Sequence, residues 1–362
     1  MGQQSCALEG LVMEKNFWRD RSVFVTGHTG FKGGWISLWL SNLGAKVHGY
    51  SLSPPATPNF FSETQLGSRM QSSTIADIRD LTTLRSALKT AKPSIVIHMA
   101  AQPLVRESYV KPVETFSTNV IGTVNLLEAV RSIDTVEAVV NITTDKCYEN
   151  QEWARAYRET DRLGGHDPYS SSKACAELVT ATYRKSFLAE AGIQLASVRA
   201  GNVIGGGDWA DDRLIPDFLR AVDAGKSLSI RSPNAIRPWQ HVLEPLSGYL
   251  LLAERLVIEG AAFAEAWNFG PDETDCKPVS WILDRMCKKI PSANWVLDRS
   301  PQPHEASVLK LDSLKAKTRL NWAPHWSLET ALDKTVEWHQ LWKEGQSMVD
   351  ACVQQIEAHQ IV

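Results

Sequence analysis

A short β-branched run, Ser22–Thr26 (SVFVT), passes straight into glycine-rich punctuation and then into an apolar helical pattern through Trp35, Ile36, Leu38, Trp39 and Leu40, closed by Gly44. The same alternation then recurs. Lys46–Ser51 reads as a second strand, Ile75–Asp77 as a short third, and Leu81–Thr90 as a helix. Ser94–Ala101 and Glu137–Thr144 are strands with continuous apolar runs at their centres, separated by a long helix, Pro112–Ser132. Pro168–Ala189 is a helix with Asp167 as its N-cap, and Gln194–Arg199 a sixth strand. Strands without polar alternation are covered on both faces, and strands separated by helices pair in parallel. The expected class is therefore α/β, a doubly wound parallel sheet with a smaller C-terminal α/β lobe.

Beyond Gly201 the alternation loosens. Gly205-Gly206-Gly207 opens a polar loop through Arg213, and a helix follows near Asp217–Ala224. Short strands fall near Leu228–Arg231 and Pro238–His241, and helices near Leu243–Ile258, Val279–Lys288 and Leu328–Trp342. The expected division is an N-terminal extension (1–15), a dinucleotide-binding domain (16–201), a lobe mainly for substrate (202–345, some segments returning to the large domain) and a C-terminal tail (346–362). Met13, just ahead of the first strand, is an alternative start.

Composition narrows the class of partner. The 38 Lys and Arg against 41 Asp and Glu give a formal charge of −3 over 362 residues. That balance argues against a non-specific nucleic-acid binder and a polybasic membrane-surface protein. The six cysteines never fall as C-x-x-C, so no metal site is expected, and scattered thiols without a signal peptide fit a reducing cytoplasm. The longest apolar stretches carry Glu244, Glu254 and Arg255, too many charges for a membrane span.

The turn after the first strand has the spacing G-x-x-G-x-x-G, at Gly27, Gly30 and Gly33. Gly27 suits the tight turn, Gly30 a close backbone approach to a pyrophosphate, and Gly33 close packing of helix on sheet. Phosphate would sit at the helix N-terminus, where unpaired N–H groups and the dipole favour negative charge. No acid closes the second strand to hold an adenosine ribose. Ser51 or Ser53 remains for that purpose, and Lys32 is the cation available for a 2′-phosphate, so the residues leave NAD and NADP open. Asp77-Ile78, after the third strand, can contact the adenine. His28 and His98 read as packing residues.

Tyr169-Ser-Ser-Ser-Lys173 opens a helix, and a spacing of four puts both side chains on one face. A neighbouring ammonium favours tyrosinate, the base needed to remove a hydroxyl proton while hydride leaves carbon. At the end of the preceding strand stand Thr144, Asp145 and Lys146. In such a sheet ligands meet the carboxyl ends of the strands, so Thr144 is placed to hydrogen-bond a hydroxyl and the two ionisable groups to move protons.

These residues carry a resemblance. The stretch from about Asn16 to Trp342 is similar to the nucleotide-sugar 4,6-dehydratases of the extended short-chain dehydrogenase/reductases, a Rossmann-type superfamily. Those dehydratases usually follow Thr-Asp with Glu; Lys146 stands in that place here. The departure, with the segments His98–Tyr109, Asn202–Asp217, Arg237–Pro245 and Asn268–Pro271, resembles the members acting on CDP-glucose. The resemblance implies NAD, rather than NADP, held by Gly27, Thr29, Gly30, Phe31, Lys32, Gly33, Ser51, Asp77, Ile78, Ala100, Ala101, Gln102, Thr118, Tyr169 and Lys173. It implies catalysis by Thr144, Asp145, Lys146, Tyr169 and Lys173: C4 oxidation, loss of water across C5–C6 and hydride return to C6, within deoxysugar (O-antigen-type) biosynthesis.

Substrate contacts are expected from Thr144, Asn202, Arg213, Arg237 and Trp239, with Trp209 a second stacking candidate. A lysine acts as base only with a lowered pKa, and an aspartate as acid only with a raised one; an ion pair between Asp145 and Lys146 would oppose both. Asp208, Asp211 and Asp212 read as a solvated loop. Relatives pair through the two long helices, so a homodimer or homotetramer is expected. The competing readings are a dehydratase of another sugar nucleotide, a 4-epimerase, and a non-catalytic NAD-binding sensor.

Overall fold

The computed structural model describes residues 16–54, 56–300 and 307–360. The expected extension, with Met13, lies outside the described residues. The first six strands are β1 (Ser22–Thr26), β2 (Lys46–Ser51), β3 (Ser72–Ile75), β4 (Ile95–His98), β5 (Ala138–Ile142) and β6 (Gln194–Ala200). After them come β7 (Asn202–Ile204), β8 (Leu228–Ile230), β9 (Ile236–His241), β10 (Ala266–Phe269), β11 (Cys276–Pro278) and β12 (Trp295–Leu297). The main sheet is wholly parallel, in the order β10-β6-β5-β4-β1-β2-β3. It is the doubly wound sheet expected, and the order reverses between β1 and β4, where such sheets open a crevice.

Alternate residues of each strand feed two cores. Val23 and Val25 of β1, Ile95 and Ile97 of β4, and Val140 and Ile142 of β5 pack on one face. Phe24, Val96 and Val139 pack on the other, with Leu126, Leu127 and Val130 of the Gly122–Val130 helix. The third strand runs Ser72–Ile75, not Ile75–Asp77. It is a sheet edge paired only with β2, so its serines stay wet and leave no apolar signal.

The helix Phe31–Asn42 is buried from Gly33 to Leu40, including Trp35 and Trp39. A helix apolar on all sides needs cover on its outer face. The C-terminal segment supplies it. Within the segment expected as a C-terminal tail, Met348–Gln360 is a helix whose Cys352 and Ile356 enter the same core. The segment beyond Gly201 divides as well. Helix Leu243–Glu259 packs Tyr249 and Leu250 into the main-sheet core, and β10 joins the sheet edge. What remains apart is a smaller lobe, with sheets β11-β9-β7 and β12-β8 around Phe218, Ile282, Leu283, Met286 and Leu332.

Candidate active site

The glycine turn leaves β1 at the crevice. Gly27 has φ +78°, and a Cβ there would lie 2.8 Å from the Ala100 amide nitrogen. A Cβ on Gly33 would lie 2.0 Å from the Gly27 carbonyl oxygen, so Gly33 closes the turn on itself. Gly30 is extended and begins the Phe31–Asn42 helix with no side-chain cap. Its first N–H groups therefore face the crevice as an anion cradle, which fits a dinucleotide pyrophosphate. Thr29 ties the turn to the end of β2, sharing a hydrogen bond with the Ser51 hydroxyl at 2.8 Å and donating to the Leu52 carbonyl at 2.8 Å. His28 lies beneath, bonded to Ser73 at 2.8 Å, and burial pushes its pKa down to about 4.

The loop after β4 is built with similar care. Thr26 accepts the amides of Met99 and Ala100, both at 3.1 Å, and its hydroxyl meets His98 Nδ1 at 2.7 Å. That leaves Ala100 and Ala101 half-buried beside Gly27, and His98 a packing residue whose pKa burial lowers to about 3. Gln102 turns inward, donating to Thr115 Oγ1 at 2.9 Å. Asn119, which the sequence reading passed over in favour of the half-buried Thr118, accepts the Gln102 amide at 2.8 Å and donates to Ser172 at 2.9 Å. It joins three elements of the crevice. Of the adenine candidates, Asp77 has its carboxylate gripped by Arg79, and Ile78 is buried against Gly122.

At the end of β5, Thr144, Asp145 and Lys146 come together with Tyr169. The Thr144 hydroxyl donates to Asp145 Oδ1 at 3.0 Å and accepts the Lys146 amide at 3.3 Å. Asp145 is buried and its Oδ2 has no partner among the described residues. No ion pair forms between Asp145 and Lys146 among the described residues, so the arrangement feared from the sequence is absent. Burial pushes the Tyr169 phenol up to about 12, against a hydrogen-bonding contact from the Thr144 hydroxyl and the charge of Arg213, which pull it down.

Lys173 lies four residues on, as the helical spacing requires, but its ammonium donates to the Ile142 carbonyl at 3.2 Å. Burial, then the nearby Lys32, lower its pKa to about 8. Lys32 is also depressed to about 8, by burial first and then Arg213, and it lies in the field of Asp145, Asp208 and Lys146. It lines the cleft together with Thr144, Asp145 and Tyr169, at the reaction end of the crevice.

Beneath this centre lies a residue missed in the sequence. Glu177 continues the helical series Tyr169, Lys173 at the same spacing of four. It accepts from Thr143 at 2.5 Å, Ser197 at 2.7 Å, and Arg199 Nε and Nη2 at 3.0 and 2.8 Å. The Thr143–Lys146 loop is thus bolted to the Tyr169 helix from below.

Opposite stands the smaller lobe, and a cleft of about 870 Å³ lies between, lined by Thr144, Asp145, Lys146, Tyr169, Asn202 and Arg237 among others. Asn202 Oδ1 is buried without a partner among the described residues, aimed at the cleft wall. Arg237 is buried, with Nη1 donating to the Ile236 carbonyl at 2.9 Å. Arg213 pairs with Asp208 at 2.8 Å. Trp239 touches the cleft but is mostly core, its indole N–H donating to the Lys277 carbonyl at 3.1 Å. Trp209 packs edge-on against Trp338 and Trp342, outside the cleft lining. Asp211 and Asp212 pair with Arg220 and Arg106, and no metal-binding cluster occurs among the described residues.

The chain matches the family model described as GDP-mannose 4,6 dehydratase over residues 24–335. It is 55% identical over 344 residues to the CDP-glucose 4,6-dehydratase of Salmonella typhimurium (strain LT2), covering 93% of this chain and 96% of that protein. The dTDP-glucose 4,6-dehydratase of Xanthomonas campestris pv. campestris is 24% identical over 342 residues, 89% of this chain and 94% of that one. Solved structures share the fold. The dTDP-glucose 4,6-dehydratase of Bacillus anthracis in complex with NAD superposes with a TM-score of 0.74 at 21% identity, over 91% of this chain and 99% of that one. The UDP-glucose 4-epimerase of Thermotoga maritima with UDP-glucose gives 0.76 at 21% identity, over 89% and 99%. With its parallel sheet, glycine cradle and Tyr169–Lys173 helix, this chain belongs to the GDP-mannose 4,6 dehydratase family.

Proposed function

We propose that this protein is a CDP-glucose 4,6-dehydratase, a hydro-lyase that converts CDP-D-glucose to CDP-4-dehydro-6-deoxy-D-glucose and water. The observation that carries the substrate is the 55% identity, over nearly the whole of both chains, to an enzyme named for it. Lys146 beside Asp145 supports the dehydratase step, since an epimerase has no use for an acid and a base after Thr144. Tyr169 takes the C4 hydroxyl proton while Thr144 holds that oxygen. Lys146 takes the C5 proton, and Asp145 delivers a proton to the departing C6 hydroxyl. Gly27–Gly33 would hold the dinucleotide, which would supply the acceptor for the C4 hydride and its donor at C6.

Two features favour NAD over NADP. Thr29 and Ser51 satisfy one another at the end of β2, and the guanidinium of Arg79 is taken by Asp77. Arg237 and Asn202 face the substrate's pyrophosphate across the cleft. The unpaired cysteines fit a cytoplasmic enzyme supplying deoxysugar nucleotides for surface polysaccharide. The subunits pair through the two long helices, which expose Val113, Phe116 and Ile121 on one and Leu178 and Phe187 on the other. Such apolar surface suits an interface. The deciding assay offers CDP-, dTDP-, UDP- and GDP-sugars in deuterated water. CDP-glucose should give a 4-keto product with deuterium at C5; preference for another nucleotide, or turnover without C5 exchange, refutes the assignment.

A further inference from the structure

The reaction leaves one proton to be accounted for. Hydride leaves C4 and comes back at C6. The C5 proton leaves to Lys146, exchanges there with solvent, and a proton comes back to C5. What remains is the proton of the C4 hydroxyl and the hydroxyl of C6, which together make the one water lost. The first is released at Tyr169; the second departs where Asp145 acts.

We propose that Thr144 is a proton relay that carries the C4 hydroxyl proton from Tyr169 to Asp145, so that this proton leaves in the water formed at C6. The inference rests on the dehydratase reading above. Thr144 lines the cleft with both groups; its hydroxyl donates to Asp145 Oδ1 at 3.0 Å, and its influence on the Tyr169 phenol draws that group's pKa down. A hydroxyl both accepts and donates, so it can take a proton from Tyr169 while passing its own to Asp145. Contacts of this kind shorten when substrate is bound.

The chain is held and dry. The Lys146 amide pins the Thr144 oxygen, and the adjacent Thr143 is fixed on Glu177. Thr144, Asp145 and Tyr169 are 7%, 1% and 8% exposed, which slows exchange of the proton with solvent. Asp145 Oδ2, buried and without a partner among the described residues, is the oxygen free to face the sugar.

The steps balance. The C4 O–H bond breaks as its proton joins the Tyr169 oxygen. The Tyr169 proton then moves to Thr144 Oγ1 as the Thr144 proton moves to Asp145. The Asp145 carboxyl then turns to bring that proton to the C6 oxygen and gives it up as the C6–O bond breaks, and all three side chains end as they began. Transfer from phenol to carboxylate alone is uphill. Transfer from phenol to a departing hydroxide is downhill, because bulk water has a pKa of about 15.7. Asp145 thus serves as a conduit and does not need to be protonated at rest, which removes the difficulty that an acid beside Lys146 posed. The rival exit is through Lys173, whose ammonium bonds the Ile142 carbonyl and is itself buried.

A pair of substrates tests the relay. Fluoride leaves without a proton, so CDP-6-deoxy-6-fluoroglucose needs C4 oxidation but no acid. In Thr144→Val, the rate with CDP-glucose relative to the fluoro analogue should fall about 100-fold, the scale of losing a general acid. The residual water loss should slow further as pH rises, because Asp145 then draws its proton from solvent. Thr144→Ser should restore the ratio. Equal slowing of both substrates confines Thr144 to C4 oxidation and overturns the relay, and so does a pH-independent ratio. Failure of the parent reading looks different: the wild-type protein makes no 4-keto product from CDP-glucose.

Discussion

Replacing Glu177 by alanine strips four donors of one buried acceptor. Glu177 and Arg199 have side chains each 3% exposed, so the guanidinium would be left charged in a medium that cannot solvate it. Removing one partner of such a pair costs about 3–5 kcal/mol. At about 2.1 cal/mol/K per residue, a chain this long unfolds with an entropy near ~0.76 kcal/mol/K, so Tm should fall by about 4–7 °C. The sign with pH is set by the carboxyl. Burial raises its pKa, but the Arg199 charge and the hydrogen bonds outweigh burial and hold it below the usual glutamate value. The pair's contribution is therefore complete above the ordinary glutamate range and is lost as pH falls through the depressed folded value. Because Glu177 anchors Thr143, kcat should fall along with Tm, with KM little changed. Calorimetry of Glu177→Ala and of the double variant Glu177→Ala/Arg199→Met decides. The double variant should recover most of the loss, since apolar replacement of a buried pair is near neutral. A Tm within about 1 °C of wild type for the single variant, or strict additivity in the double, refutes the reasoning.

Lys32 offers the opposite trade. Its pKa is depressed to about 8 in the folded chain, so below pH 8 the fold carries the full penalty of a buried ammonium, relieved as pH rises toward the ordinary lysine value. Lys32→Met should raise the Tm of the cofactor-free protein at pH 7, gain less at pH 10, and lower kcat; a Tm gain independent of pH would show that packing, not charge, is responsible. Val113, 82% exposed on one of the helices proposed to pair, tests the subunit contact. Val113→Glu should give monomers by light scattering with an unchanged circular dichroism spectrum, and an unchanged assembly state would place the interface elsewhere.

Local chemistry explains what could be read along the chain. The glycine spacing, the Asp167 cap that accepts the Ser170 amide at 2.9 Å, and the four-residue step from Tyr169 to Lys173 all depend on neighbours within one turn. Strand β3 was misplaced because an edge strand pairs on one side only and tolerates Ser72 and Ser73. Ile78 and Trp239 pack into cores as well, because an apolar side chain looks the same from sequence whether it meets a ligand or a core.

The amino-acid order alone determined the parallel sheet, the anion cradle and the Thr144–Tyr169–Lys173 set. Their signals are periodicity and short spacing, which the backbone converts directly into geometry. Only the folded chain decided that Lys32 belongs to the reaction end, that Glu177 holds Thr143, and that the last helix, Met348–Gln360, roofs the Phe31–Asn42 helix. Each is a meeting of residues distant along the chain, and the energy that enforces it, burial of charge or of apolar surface, exists only once the partners have been brought together.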